Sequence, residues 1–224
     1  MLDKVTKGGA ATKSITIPAP KFQTCEFRIR GTAPYCQNKF SNKAIETMME
    51  KMAAGAQARS KKVREARDYD QDCLNAMHLL SKPGAPHEPD GPGIPASAFR
   101  IAMISACRLV GFKMTLAKLS VFIEADGLDY QEGTPLVRIE GDWERFDAHV
   151  RNATGVVDIH VRPLWREWSA KLRVRFDLDQ FSIQDATNLL QRASQQVGIG
   201  EGRPDSRSSA GMGFGLFEIE GEAR

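Results

Sequence analysis

The stretch Ser182-Ile-Gln-Asp-Ala-Thr-Asn-Leu-Leu-Gln-Arg-Ala-Ser-Gln-Gln-Val-Gly-Ile-Gly-Glu-Gly-Arg-Pro204, followed by Gly211-Met-Gly-Phe-Gly-Leu-Phe-Glu-Ile219, sets a helix, a glycine-rich loop and a closing strand in succession. Ser182 caps the helix, and Ile183, Ala186, Leu190, Ala193 and Val197 repeat at the three- and four-residue spacing of one apolar face. Gly198 ends it. The loop then carries Gly200, Gly202, Arg203 and Arg207, a pairing of close-approaching backbone with guanidinium groups that suits phosphate oxygens. Its alternative is a turn-rich hairpin. A dinucleotide fingerprint is excluded, because that loop follows a strand and opens a helix, the reverse of the order here.

Working back from this stretch, Ala170, Leu172, Val174 and Phe176 alternate with Lys171, Arg173 and Arg175 over residues 169–177, the period of a strand with one buried face. Residues 23–31 read the same way, with Cys25, Phe27 and Ile29 inward and Glu26, Arg28 and Arg30 outward. Pro95 suits a first helical turn, and Phe99, Ala102, Met103, Ala106, Leu109 and Val110 form a core face before Gly111. Strands are expected over 119–125 and 135–141, and a further strand, 156–162, is expected to pair with 169–177 through the connection 163–168. Strand, helix, strand pair, helix, strand predicts an α+β chain with a ferredoxin-like, RRM-like antiparallel sheet, both helices on one face, and a helical insertion after the first strand. The other face is then open. Arg28, Arg30, Lys171, Arg173 and Arg175 point to it, although aromatic residues for base stacking are not evident there.

Residues 1–20 read as an extended arm and 21–224 as one domain, with the insertion at about 40–93. In the insertion two helices are expected between residues 40 and 80. Arg59, Lys61, Lys62, Arg64 and Arg67 make a basic cluster that is either a solvated face or a phosphate-contacting projection. Residues 82–93, rich in proline and glycine, read as an irregular loop. Trp165 and Trp168 are flanked by Arg162 and Arg166. Trp168 has the parity of the core, whereas Trp165 is a candidate for stacking on bases. Asp68, Asp70 and Asp72 diverge around a helix axis and do not read as a metal site. No catalytic constellation, metal or cofactor is expected. A net charge of +3 does not by itself imply nucleic acid. Cys25, Cys36, Cys73 and Cys107 lack zinc-ligand spacing and fit a reduced, cytoplasmic protein, and no apolar run is long enough to span a bilayer.

The run Val197-Gly-Ile-Gly-Glu-Gly-Arg-Pro204 with Gly213-Phe-Gly-Leu-Phe-Glu-Ile219, and Trp168-Ser-Ala-Lys-Leu-Arg-Val-Arg-Phe176 before it, resembles the C-terminal half of the RAMP superfamily, whose members include the backbone subunits of CRISPR effector complexes. Gly93-Ile-Pro-Ala-Ser-Ala-Phe-Arg-Ile-Ala-Met103 is similar to the segment that opens that family's first helix, except that Ala96 stands where the family has glycine. The resemblance covers residues 25–30 and 93 onward and points to a phage or mobile-element relative. It implies RNA preference and head-to-tail assembly. The resulting expectation is a homo-oligomeric coat on single-stranded RNA or DNA with little reading of bases. The alternative is a structural protein, such as a phage assembly or host-takeover factor, that turns the same basic face to an acidic protein partner.

Overall fold

The structure, a computed structural model, describes residues 17–40, 42–54, 67–151, 157–206 and 211–221. It is an α+β fold with a mostly antiparallel, open sheet. Strand β1 (Phe22–Gly31) is an interior strand that buries Cys25, Phe27 and Ile29 on one face. A second strand, β2 (Tyr35–Cys36), follows it closely. Late in the chain, β10 (Ser169–Asp177) pairs with β1 from Phe22↔Asp177 to Arg30↔Ser169, and β11 (Phe217–Glu220) pairs with its other edge from Arg28↔Glu220 to Gly31↔Phe217. Short β5 (Val121–Glu124) takes the far edge of β10, and β7 (Pro135–Glu140) meets the start of β10 and carries the sheet onward.

Two helices cover the buried face of this sheet. Helix α3 (Ala96–Ala106) sets Phe99, Ala102 and Met103 into the core, tightens into a 3-10 turn over Cys107–Val110, and is closed by Gly111 at φ 68°. Helix α5 (Ile183–Arg192) opens with a reciprocal capping box: Asp185 N–H donates to Ser182 Oγ at 3.1 Å and Ser182 N–H donates to Asp185 Oδ2 at 3.1 Å. It buries Ala186, Leu189 and Leu190, widens to a π turn over Ala193–Val197, and stops at Gly198 with φ 72°.

The insertion differs from expectation. Helix α1 (Asn42–Ala54) is present, but Met48, Met49 and Met52 are exposed. Helix α2 (Tyr69–Asn75) ends well before Leu80, and residues 82–93 are not an irregular loop. Instead β3 (Leu79–Lys82) and β4 (Ala85–Pro95) form a hairpin turning at Gly84, φ 79°. The prolines fit because the register slips at Leu80/Ser81 and again at Ser81/Lys82, relieving the ladder of donors that proline lacks. Only the last residues of β4 join the main sheet, Gly93–Pro95 opposite Leu136–Arg138.

Two strand expectations are also corrected. Residues 114–120 form α4 (Met114–Ser120), so Leu119 is exposed rather than part of a strand. Ala117 and Ser120, three apart, instead give this helix its buried side. Strand β6 (Gly127–Leu128) then pairs with β7. The run through Pro163 and Trp165 is not a connection but the end of β9 (Val157–Trp165). It pairs with β8 (Trp143–Arg151) and β2 in a separate sheet, not with β10.

Candidate nucleic-acid interface

The glycines of the C-terminal loop serve packing first. At Gly200, φ 76°, an added Cβ would lie 2.5 Å from Cys36 O, and at Gly215, φ 69°, it would lie 1.8 Å from Ile199 O. Backbone hydrogen bonds join the two arms of the loop and tie them to the segment after β1: Ile199 N to Gly215 O at 3.0 Å, Glu201 N to Cys36 O at 2.9 Å, and Gly215 N to Pro34 O at 2.7 Å. Asp205 fastens the loop to α3 by accepting from Ser105 Oγ and from Arg108 Nη2, the latter at 2.7 Å. The Ser105 bond first, and Arg108 as well, outweigh burial and hold the Asp205 carboxyl below its ordinary range. Glu201 is neutralised by Arg162 at 2.8 Å.

Between this loop and α3 lies a cleft of about 400 Å³. Gly198, Gly200 and Arg203 line one side, and Ser97, Ala98 and Ile101 of α3 line the other. No side chain caps α3, so its first-turn N–H groups have no intrahelical partner at the place where Ser97 and Ala98 border the cleft. Arg203 donates to Gly200 O at 2.9 Å and so also braces its own turn. Gly202 belongs to the same loop, where its carbonyl accepts from Met212 N at 2.7 Å.

The end of the cleft is a polar network that sequence reading missed. Buried Gln37 donates to Gly93 O at 2.8 Å and to Tyr35 OH at 3.1 Å, and accepts from His78 N at 2.8 Å. His78 Nδ1 lies 2.9 Å from Asp129, which is 2% exposed and also meets buried Lys39 Nζ at 3.1 Å. Burial pushes the Asp129 carboxyl up, but hydrogen bonds from Glu132 N–H, His78, Gln131 N–H and Lys39 together hold it below its ordinary value. Residues 37, 39, 78 and 129 share no spacing that could have announced this cluster.

The open sheet face carries the predicted cations, and most are met by carboxylates. Arg28 lies 3.4 Å from Glu220 and 3.7 Å from Glu140, Arg30 2.7 Å from Glu218, Lys171 3.3 Å from Glu26, and Arg173 3.0 Å from Asp126. Exposed pairs of this kind contribute little stability, but a phosphate would have to compete with them. Arg166, near the second sheet, pairs with Glu144 at 2.6 Å. Trp165 is corrected as a stacking candidate: it is fully buried against Tyr35, ring centroids 5.5 Å apart, because β9 turns that position inward. Trp168 is buried as its parity predicts and donates to Ala33 O at 2.9 Å. Arg59, Lys61, Lys62 and Arg207 lie outside the described residues, whereas Arg67 pairs with Asp72 at 3.0 Å.

The sequence made no aromatics evident on the open face, but the structure places Phe22 and Phe122 there. Phe22 shares the outward parity of Thr24 and Arg28, and Phe122 stands opposite Arg175. Among the described residues no group of His, Cys, Asp and Glu could hold a metal ion, and no helix is long and apolar enough to cross a membrane. Compared with protein-family models and with curated proteins, the chain matches none.

Proposed function

We propose that this chain binds single-stranded nucleic acid, RNA or DNA, with the phosphate backbone in the cleft between the glycine-rich loop and the start of α3. We further read it as a RAMP-like protein on a ferredoxin-like core that assembles into a homo-oligomeric coat. The observation that carries the reading is the convergence of the two segments that bear the family resemblance. Within those segments, residues 95–102 and 197–205 are far apart in sequence, yet they form the two walls of one cleft. The order β11-β1-β10-β5, antiparallel throughout with α3 and α5 on one face, supports the ferredoxin-like assignment. Affinity comes from uncapped N–H groups and Arg203 more than from the sheet-face cations, since four of those are already paired.

A charge reversal at the cleft tests this. Ser97 is exposed in the first turn of α3, where an acidic side chain favours the helix dipole and repels phosphate. Ser97→Glu should weaken binding of a fluorescent 20-nucleotide single strand by about tenfold or more without lowering the Tm. Light scattering in the same titration should show growth in particle mass with strand length. Unchanged affinity in the variant would remove the cleft from the interface.

The second reading, a structural protein that docks an acidic partner on the sheet, meets the same obstacle as phosphate there, because the cations are arranged in pairs with acids rather than as a basic track.

A further inference from the structure

One end of the open face is unlike the rest. Arg175 stands opposite Thr24 on β1 and Phe122 on β5, and among the described residues no carboxylate lies within salt-bridge distance of it. Its guanidinium carbon is 5.1 Å from the centroid of Phe22 and 5.2 Å from that of Phe122. The two rings meet edge to face at 5.7 Å, and Phe22 is 39% exposed. Arg100 of α3 lies 5.0 Å from the Phe122 ring and is pinned by donation to Val121 O at 2.9 Å and to Lys118 O. The nearest acid on β5, Glu124, accepts from Thr24 Oγ1 at 2.8 Å.

Phe22 is exposed and Phe122 partly so, ring surface that is costly to leave in water, and Arg175, which rests over both rings with no acid beside it, attracts anions. A flat, uncharged ring system with a phosphate one bond-chain away satisfies both, whereas an acidic peptide would leave the rings uncovered. We propose that Phe22, Phe122 and Arg175 form a platform on which unpaired nucleobases stack, with Arg175 meeting the intervening phosphate. The proposal rests on the nucleic-acid reading of the cleft but uses a different surface. Helix α3 links the two, since Ile101 lines the cleft and neighbouring Arg100 supports Phe122. Stacking uses the π-face that every base has, so the platform adds affinity without a sequence code.

The test compares two single-stranded DNA probes of equal length and charge, a 20-nucleotide oligothymidine and one bearing several abasic sites. Phe22→Ala, Phe122→Leu and Arg175→Ala are measured beside wild type, with thermal unfolding as the fold control. Wild type should bind oligothymidine about tenfold more tightly than the abasic strand, as loss of one or more stacked bases predicts, and Phe22→Ala and Phe122→Leu should abolish most of that difference. Arg175→Ala should weaken binding to both probes. If wild type binds both probes equally, or the phenylalanine variants keep the difference, the platform is refuted while the cleft reading stands. If wild type binds neither probe, both readings fail.

Discussion

Asp129 shows how a single buried carboxylate ties the cleft to the fold. It accepts from Lys39, from His78 and from two backbone N–H groups, and His78 in turn borders the cleft. Because its folded pKa lies below the ordinary value of 3.8, its stabilising contribution is complete above that pH and disappears as pH falls through the folded value. Asp129→Asn removes the buried counter-charge of Lys39 and leaves its ammonium only the more distant, part-exposed Glu132 at 3.8 Å, so stability at pH 7 should fall by about 3 kcal/mol in urea titrations. The gap from wild type should narrow as pH falls below about 3.8, where the unfolded carboxylate takes up its proton, and close once the folded carboxylate is protonated as well. A gap that stays constant to pH 2 would mean that Asp129 carries none of the acid dependence. Nothing in the sequence marked this residue, since its partners are brought to it only by the fold. Arg203, by contrast, was legible as a loop arginine, although the sequence did not reveal that its guanidinium bonds to Gly200 O.

The elements most legible in the sequence were those with a buried face and a solvated one. Strands β1 and β10 follow their apolar periods because they pack on one core, and α3 and α5 do so along their middles, whereas Leu109 and Val110 after α3 and Ile183 at the start of α5, expected on the core faces, are exposed. The β3–β4 hairpin, strand β8 and the pairing of β9 with it were not legible, although a strand was read over most of β9. The first is punctuated by prolines that a bulged, peripheral ladder tolerates. In β8, Trp143 is partly exposed and Arg145 is paired with Asp70 and Asp147, so no clean alternation separates an inside from an outside. The same contrast should govern local stability. Amides of β1 and β10, paired along their lengths, should be the slowest to exchange in hydrogen–deuterium mass spectrometry. Those of β8, paired on one edge alone among the described residues, should exchange by local opening at least tenfold faster. Equal protection of β8 and β1 would show that the two sheets open as one unit.

At the scale of the whole molecule, charge is arranged by neighbourhood rather than by excess. The strands beside β1 and β10 bring Glu26, Glu140, Glu218 and Glu220 among the arginines, so a stripe that reads as basic along one strand is mixed across the sheet. A single strand cannot reveal its lateral neighbours, which is why the balanced face was not legible and its basic rows were. Arg28→Ala and Lys171→Ala should accordingly change stability by no more than about 0.5 kcal/mol. They should also leave the salt slope of oligonucleotide binding nearly unchanged. A reduction of the slope by about 0.7 in either variant would show that phosphate displaces the glutamates and that the sheet centre belongs to the interface.

The ties between the glycine loop and the segment after β1 also set when this protein can begin to work. Pro34 and Cys36 are synthesised well before the residues that bind to them, Gly215 and Glu201, which follow them by more than a hundred and fifty residues. At ordinary translation rates that interval is roughly ten to forty seconds. Throughout it the edge of β1 awaits β11 and the cleft has one wall. On the proposed reading, a nascent chain therefore gains its strand-binding cleft only once residues 201–215 have been made.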